Sequence, residues 1–158
     1  MNERTFGNNY NKDLSTKEIA ALVRKALKAQ MPGYKFSTRY ESFSGGTSID
    51  VMLKAAPHKI LNARWTEIDR INKGPEASVS LADEQRTISR YNERTNEAVG
   101  IAKGILNSYN HDGSESQSDY FDVKFYGFAG VDGQTDTEER EAIEGLVNAG
   151  YRNINWKE

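Results

Sequence analysis

The chain has 158 residues, 37% apolar and 28% charged, with a formal net charge of −2, two His and no Cys. The length suits one domain of ordinary size, and the lack of Cys excludes disulfide scaffolds, thiolate nucleophiles and Cys-ligated zinc. No apolar run approaches the ~20 residues of a membrane span, and the first residues lack the apolar stretch of a signal peptide. The expectation is a soluble, cytoplasmic α+β protein with no membrane partner, a flexible arm over residues 1–13 and a single domain over 14–158.

A helix opens at Ser15, where Ser15 and Glu18 have capping-box spacing and Leu14 and Ile19 the spacing of a hydrophobic staple. Ile19, Leu22, Val23, Ala26 and Leu27 recur at helical spacing, and Pro32-Gly33 ends the element. A period-two stretch follows, with Tyr34, Phe36, Thr38 and Tyr40 on one face and Lys35, Ser37, Arg39 and Glu41 on the other. Ser44-Gly45-Gly46 turns the chain into a returning strand with Ile49, Val51 and Leu53 on its apolar face. Matching those faces across a hairpin over 34–54 requires partners of odd sum. A four-residue loop over 43–46 satisfies this and sets Arg39 opposite Asp50, rather than Glu41 opposite Asp50.

Pro57 starts a second helical pattern, with Ile60, Leu61, Arg64, Trp65, Ile68 and Ile71 on one stripe and Gly74-Pro75 as its stop. One long helix is expected over about 81–109, capped by Ser80, with a break near Asn92 as the alternative. A Ser, Asp and Gly loop leads to a third strand over 119–128, with Phe121, Val123 and Phe125 on one face. Asp136 or Thr137 caps a last helix ended by Gly150, and residues 151–156 read as a short edge strand. The architecture is thus α+β, a small antiparallel sheet packed against several helices.

Charge is unevenly placed. Residues 1–110 carry +5, whereas 111–145 carry ten acids against Lys124 and Arg140, for −8. Asp119, Asp122, Asp132, Asp136, Glu138, Glu139, Glu141 and Glu144 form a candidate acidic partner-binding face. Tyr120, Tyr126, Tyr151 and Trp156 are candidate aromatic anchors. Arg24, Lys28, Lys35, Arg39 and Tyr40 mix cations with rings as nucleic-acid contacts would, although a pI near 5.8 is low for electrostatic binding.

Catalysis has weaker support. His58 and His111 lie in different elements, with no Cys or nucleophile elbow to serve either. The acids from Asp112 to Asp122 do not match a calcium-loop spacing, and Gly45-Gly46 reads as a hairpin turn rather than a phosphate cradle. A metal-using enzyme built on Asp112 or Asp119 is the minor alternative. The expectation is no enzyme, no metal and no cofactor.

The capped helix ending in Pro32-Gly33, the Lys35-Phe36-Ser37-x-Arg39 strand, the Ser44-Gly45-Gly46 turn and the Ser48-Ile49-Asp50-Val51 strand resemble a known module. They are similar to the large polyvalent-protein-associated domain family, class twenty-nine, and residues 118–126 resemble its closing strand. The resemblance spans about 15–55 and 109–127, and the long helix and acidic helix read as additions to it. It implies a protein of phages, plasmids or conjugative elements, of a kind thought to shield incoming DNA from host defences. The expected function is therefore counter-defence in the host cytoplasm. The protein would bind a host defence protein or ribonucleoprotein and block it sterically, in the manner of an anti-CRISPR or anti-restriction factor, with the acidic face mimicking nucleic acid. The alternative is a nucleic-acid-binding accessory module using the basic strand and helix near 24–43.

Overall fold

A computed structural model describes residues 5–113 and 123–148, with side chains described to 145. The chain divides into two units, Met1–Ala55 with Val99–Val131 and Ala56–Ala98 with Asp132–Glu158. Among the described residues there are five helices and two small, mostly antiparallel sheets, the α+β class expected.

In the first unit, β1 (Thr5–Phe6), within the segment expected as an arm, pairs antiparallel with β4 (His111–Asp112). Gly7 follows β1 so closely against the chain that a Cβ there would lie 2.3 Å from the Ser108 carbonyl oxygen. Helix α1 (Thr16–Gln30) starts with the complete capping box: Ser15 accepts from the Glu18 N–H while Glu18 accepts from the Ser15 N–H. It buries Ile19, Ala20, Val23 and Leu27 and packs on the hairpin of β2 (Lys35–Phe43) and β3 (Gly46–Ala55). The Thr16 and Thr47 hydroxyls share a 2.9 Å hydrogen bond, and Arg24 donates to the Thr38 carbonyl at 2.8 Å, so both ends of the packing are tied.

Arg39 pairs with Asp50 as expected, but the ladder runs one pair further, to Phe43 and Gly46. The loop is accordingly narrower than the four residues expected. Gly46 at φ 148° supplies a backbone conformation that side-chain-bearing residues rarely adopt. The third strand, β5 (Tyr126–Val131), differs more. It begins after most of the predicted 119–128 segment and lies parallel to β3, giving the order β2-β3-β5. A long helical connection between β3 and β5 permits that crossover, which a hairpin cannot make. Residues 99–107 of α4 (Glu93–Asn107) bring Leu106 against the inner face at Gly127, where a Cβ would stand 3.1 Å from Leu106 Cδ2.

In the second unit, α2 (Ala63–Ile71) starts six residues later than Pro57 suggests. Ile60 and Leu61 are buried in extended chain, with Leu61 bridged to Tyr91, and Asn62 caps the helix by accepting from the Arg64 and Trp65 N–H groups. The predicted 81–109 helix is two helices, α3 (Val79–Thr87), capped by Ser78, and α4. Asn92 breaks it: its Oδ1 accepts from the Thr95 N–H at 2.9 Å and the Thr95 hydroxyl at 2.7 Å, while its amide donates to the Lys59 carbonyl. Helix α5 (Gly133–Asn148) is capped by Asp132, whose carboxylate accepts from the Thr135 N–H, so Asp136 and Thr137 lie inside the helix rather than at its cap. The predicted end at Gly150 and the edge strand over 151–156 lie outside the described residues.

Candidate functional site

The acids of α5 do not share one environment. Asp136 is 3% exposed and holds two partners, Arg90 at 2.6 Å and the Tyr91 hydroxyl at 2.8 Å. Burial, and then this hydrogen bond to a carboxylate, push the Tyr91 phenol up to about 12. The hydrogen bond to Asp136 raises the Arg90 guanidinium further above its ordinary value. Arg90 also lies over the Trp65 ring, 4.6 Å from its centroid. Glu139 accepts from the backbone N–H groups of Ile60 at 2.8 Å and Leu61 at 2.6 Å, two donors that extended chain leaves without a helical partner. Glu144 pairs at 3.0 Å with Lys73, which also meets Asp69 at 3.2 Å, and these hydrogen bonds raise the lysine.

Only part of the predicted acidic face therefore faces solvent. Glu138, which accepts from Gln134, and Glu141 are exposed, and Glu144 is half-exposed at the rim. Asp132 is engaged at the helix cap. Asp119, Asp122, Tyr120, Tyr151 and Trp156 lie outside the described residues. The carboxylates at 136 and 139 were detectable in the sequence. They share the helical stripe of Ile143, and an acid in an apolar stripe needs a buried partner.

The basic and aromatic set near 24–43 is dispersed. Arg24 is tied to the Thr38 carbonyl and Lys28 lies in the last turn of α1. Tyr40 pairs with Ile49, on the face packed by α1, while Arg39 is on the opposite face, bonded to Glu41 at 2.9 Å. Lys35 lies at the irregular end of the ladder. The outer face carries residues that the sequence reading did not group. Cross-strand partners align Glu41 with Ser48 and Tyr126, and Arg39 with Asp50 and Phe128, and Phe43 has the same parity. Phe43, Tyr126 and Phe128 are 48%, 40% and 55% exposed, with the Phe43 and Tyr126 rings 5.9 Å apart. The available signal was β5 itself, where the large residues 126 and 128 alternate with the small Gly127 and Ala129, the first of which admits Leu106.

The histidines are apart. His58 Nδ1 lies 2.7 Å from the Lys59 carbonyl. The His111 ring packs beside Phe6 and Tyr10, at centroid separations of 6.0 and 5.1 Å. It lines an open cavity of about 530 Å³ with Lys103, Asn107 and Phe125. Among the described residues no group of three or more His, Asp and Glu could hold a metal ion, and no helix is long and apolar enough to cross a membrane.

A capped helix laid on a β-hairpin, with a third strand returned in parallel, and a helix tied down by its own acids define a small α+β protein. The chain belongs to the large polyvalent protein associated domain 29 family, whose profile matches residues 14–144. That family marks a protein associated with phages or other mobile elements. The match runs through α2, α3, α4 and most of α5, so the helices expected as additions lie within the family's own span. No curated protein and no solved structure matches the chain.

Proposed function

We propose that this protein is a counter-defence factor that acts in the host cytoplasm, by binding a host defence protein or ribonucleoprotein and blocking it sterically rather than by turnover. Family membership is the observation that carries the reading. The anti-CRISPR or anti-restriction form remains its most concrete statement, and among the described residues of the predicted acidic face the carboxylates open for mimicry are Glu138, Glu141 and the rim residue Glu144.

Plaque counts of restriction-sensitive and CRISPR-targeted phages, on defended hosts expressing the protein, test the reading. Restored plaquing with unchanged levels of the defence proteins supports it; unchanged plaquing against both defences removes it. The double substitution Glu138→Gln, Glu141→Gln tests mimicry separately. Loss of protection with an unchanged melting curve supports the mimic, whereas full protection rejects it. Binding through those exposed acids should also weaken as salt rises toward a Debye length of about 8 Å and shorter.

A further inference from the structure

The outer face of the β2–β3–β5 sheet breaks the usual alternation, in which the solvated side of a sheet is polar. Three exposed aromatic rings stand there. Phe128 leans over Gly130, where a Cβ would lie 3.0 Å from its ring, and Tyr126 leans over Gly46, where a Cβ would lie 3.4 Å away. Both rings remain open to solvent, Phe128 the more so. Level with Phe128 lies Asp50, the cross-strand partner of both Arg39 and Phe128.

Arg39 and Lys54 match Glu41 and Asp50 in number on this face, and what sets Asp50 apart is local. Arg39 is committed to Glu41, its neighbour on the same strand, and not to Asp50 opposite. The Asp50 side chain, half-buried on the central strand, makes no hydrogen bond or ion pair with any described residue. Adjacent strands are about 4.8 Å apart, so a group bound to Asp50 is within reach of the Phe128 ring. A carboxylate with no partner among the described residues, beside an exposed aromatic ring, attracts a cation and repels a phosphate. A planar guanidinium meets both demands, since it binds carboxylates in a fork and stacks on rings.

We infer that this face docks an arginine-bearing segment of a protein partner, with the guanidinium held by Asp50 and stacked on Phe128 and Tyr126. The inference deepens the proposed function and rests on it for the partner's identity, because surfaces that hold nucleic acid present arginines.

The test is fluorescence anisotropy of the full chain with a capped, labelled peptide carrying three arginines separated by glycines. Phe128→Leu keeps an apolar side chain but removes the π-face, and Asp50→Asn keeps the shape but removes the charge. Each should weaken binding roughly two- to thirtyfold, with a melting curve that confirms folding. The lysine version of the peptide should bind less tightly. Equal binding by both variants overturns the proposal. So does loss of binding in Glu138→Gln, Glu141→Gln instead, or tighter binding of a labelled oligothymidylate at the same salt. The two readings fail separately. If the sheet variants lose the peptide but still protect in the plaque assay, the partner docks elsewhere and this inference falls. If the wild type binds the peptide through Asp50 and Phe128 but never protects, the counter-defence reading falls and the docking face stands.

Discussion

Glu139→Gln should destabilise the second unit as a folding defect, not as a binding defect. The Glu139 carboxylate receives two backbone N–H groups, from Ile60 and Leu61, at 2.8 and 2.6 Å. Both residues are buried, so neither donor has water as a substitute. A glutamine of the same shape offers one carbonyl oxygen to one of them and turns its own NH₂ toward the other, donor against donor. The loss comprises one hydrogen bond to a charged acceptor, about 1.5–3 kcal/mol, and an orphaned buried N–H, about 1–3 kcal/mol, with relaxation making the sum less than additive. An expected cost of about 2–4 kcal/mol corresponds to a fall in melting temperature of very roughly 5–15 °C for a chain of this size. Glu141→Gln, on the exposed side of the same helix, is the control and should stay within about 0.5 kcal/mol. Thermal and urea melts of both variants decide the matter. Equal stability of Glu139→Gln and Glu141→Gln would refute the assignment of Glu139 to the backbone of 60–61, and would return it to the acidic surface.

Other perturbations probe the same fold. Tyr91→Phe removes the donor to Asp136 and should cost about 1–2 kcal/mol in urea melts at neutral pH. Because the folded phenol titrates near 12, above the unfolded value of about 10, its stabilisation is complete below pH 10 and is lost as pH rises toward 12; the phenylalanine variant should lose that part of the alkaline decline. Asn92→Ala removes the α4 cap and the amide that meets the Lys59 carbonyl, and should cost about 2–4 kcal/mol by urea melt. Ser15→Ala opens the capping box of α1 and should cost about 1 kcal/mol, with Ser15→Asp recovering most of it.

Legibility in the sequence followed the range of the interactions. The cap at Ser15, the termination of α1 and the hairpin pairing of Arg39 with Asp50 depend on residues close in the chain, and each was readable from spacing and parity. The start of α2 was not, because Ile60 and Leu61 have helical spacing but are held extended by Tyr91 and Glu139, about 30 and 78 residues away. The same holds for β5. Its alternation marks a strand, but whether it runs parallel or antiparallel depends on the connection that precedes it. Asn92 is an intermediate case. A buried asparagine in the sparse half of a helical pattern is a ready cap, and the break there was visible as an alternative to one long helix.

The acidic segment shows why charge counted along a chain does not equal charge on a surface. On α5 the helical period places residues 136, 139 and 143 on one stripe, and 134, 138, 141 and 145 on the other. The first stripe is inward, so Asp136 and Glu139 act as buried anchors, matched to Arg90, Tyr91 and two backbone donors. The second, with Glu144 at its rim, contributes most to the field that a partner meets, and there Glu138 and Glu141 are two exposed charges. Asp50 is the opposite case. It is a single acid in a stretch of low net charge, yet it has no hydrogen-bond or ion-pair partner among the described residues and lies beside the exposed Phe128 ring. A desolvated contact with a cation at that position gains more from each charge than a screened contact on α5 does. Substituting Asp50 should consequently affect arginine binding more than neutralising both exposed glutamates of α5 does.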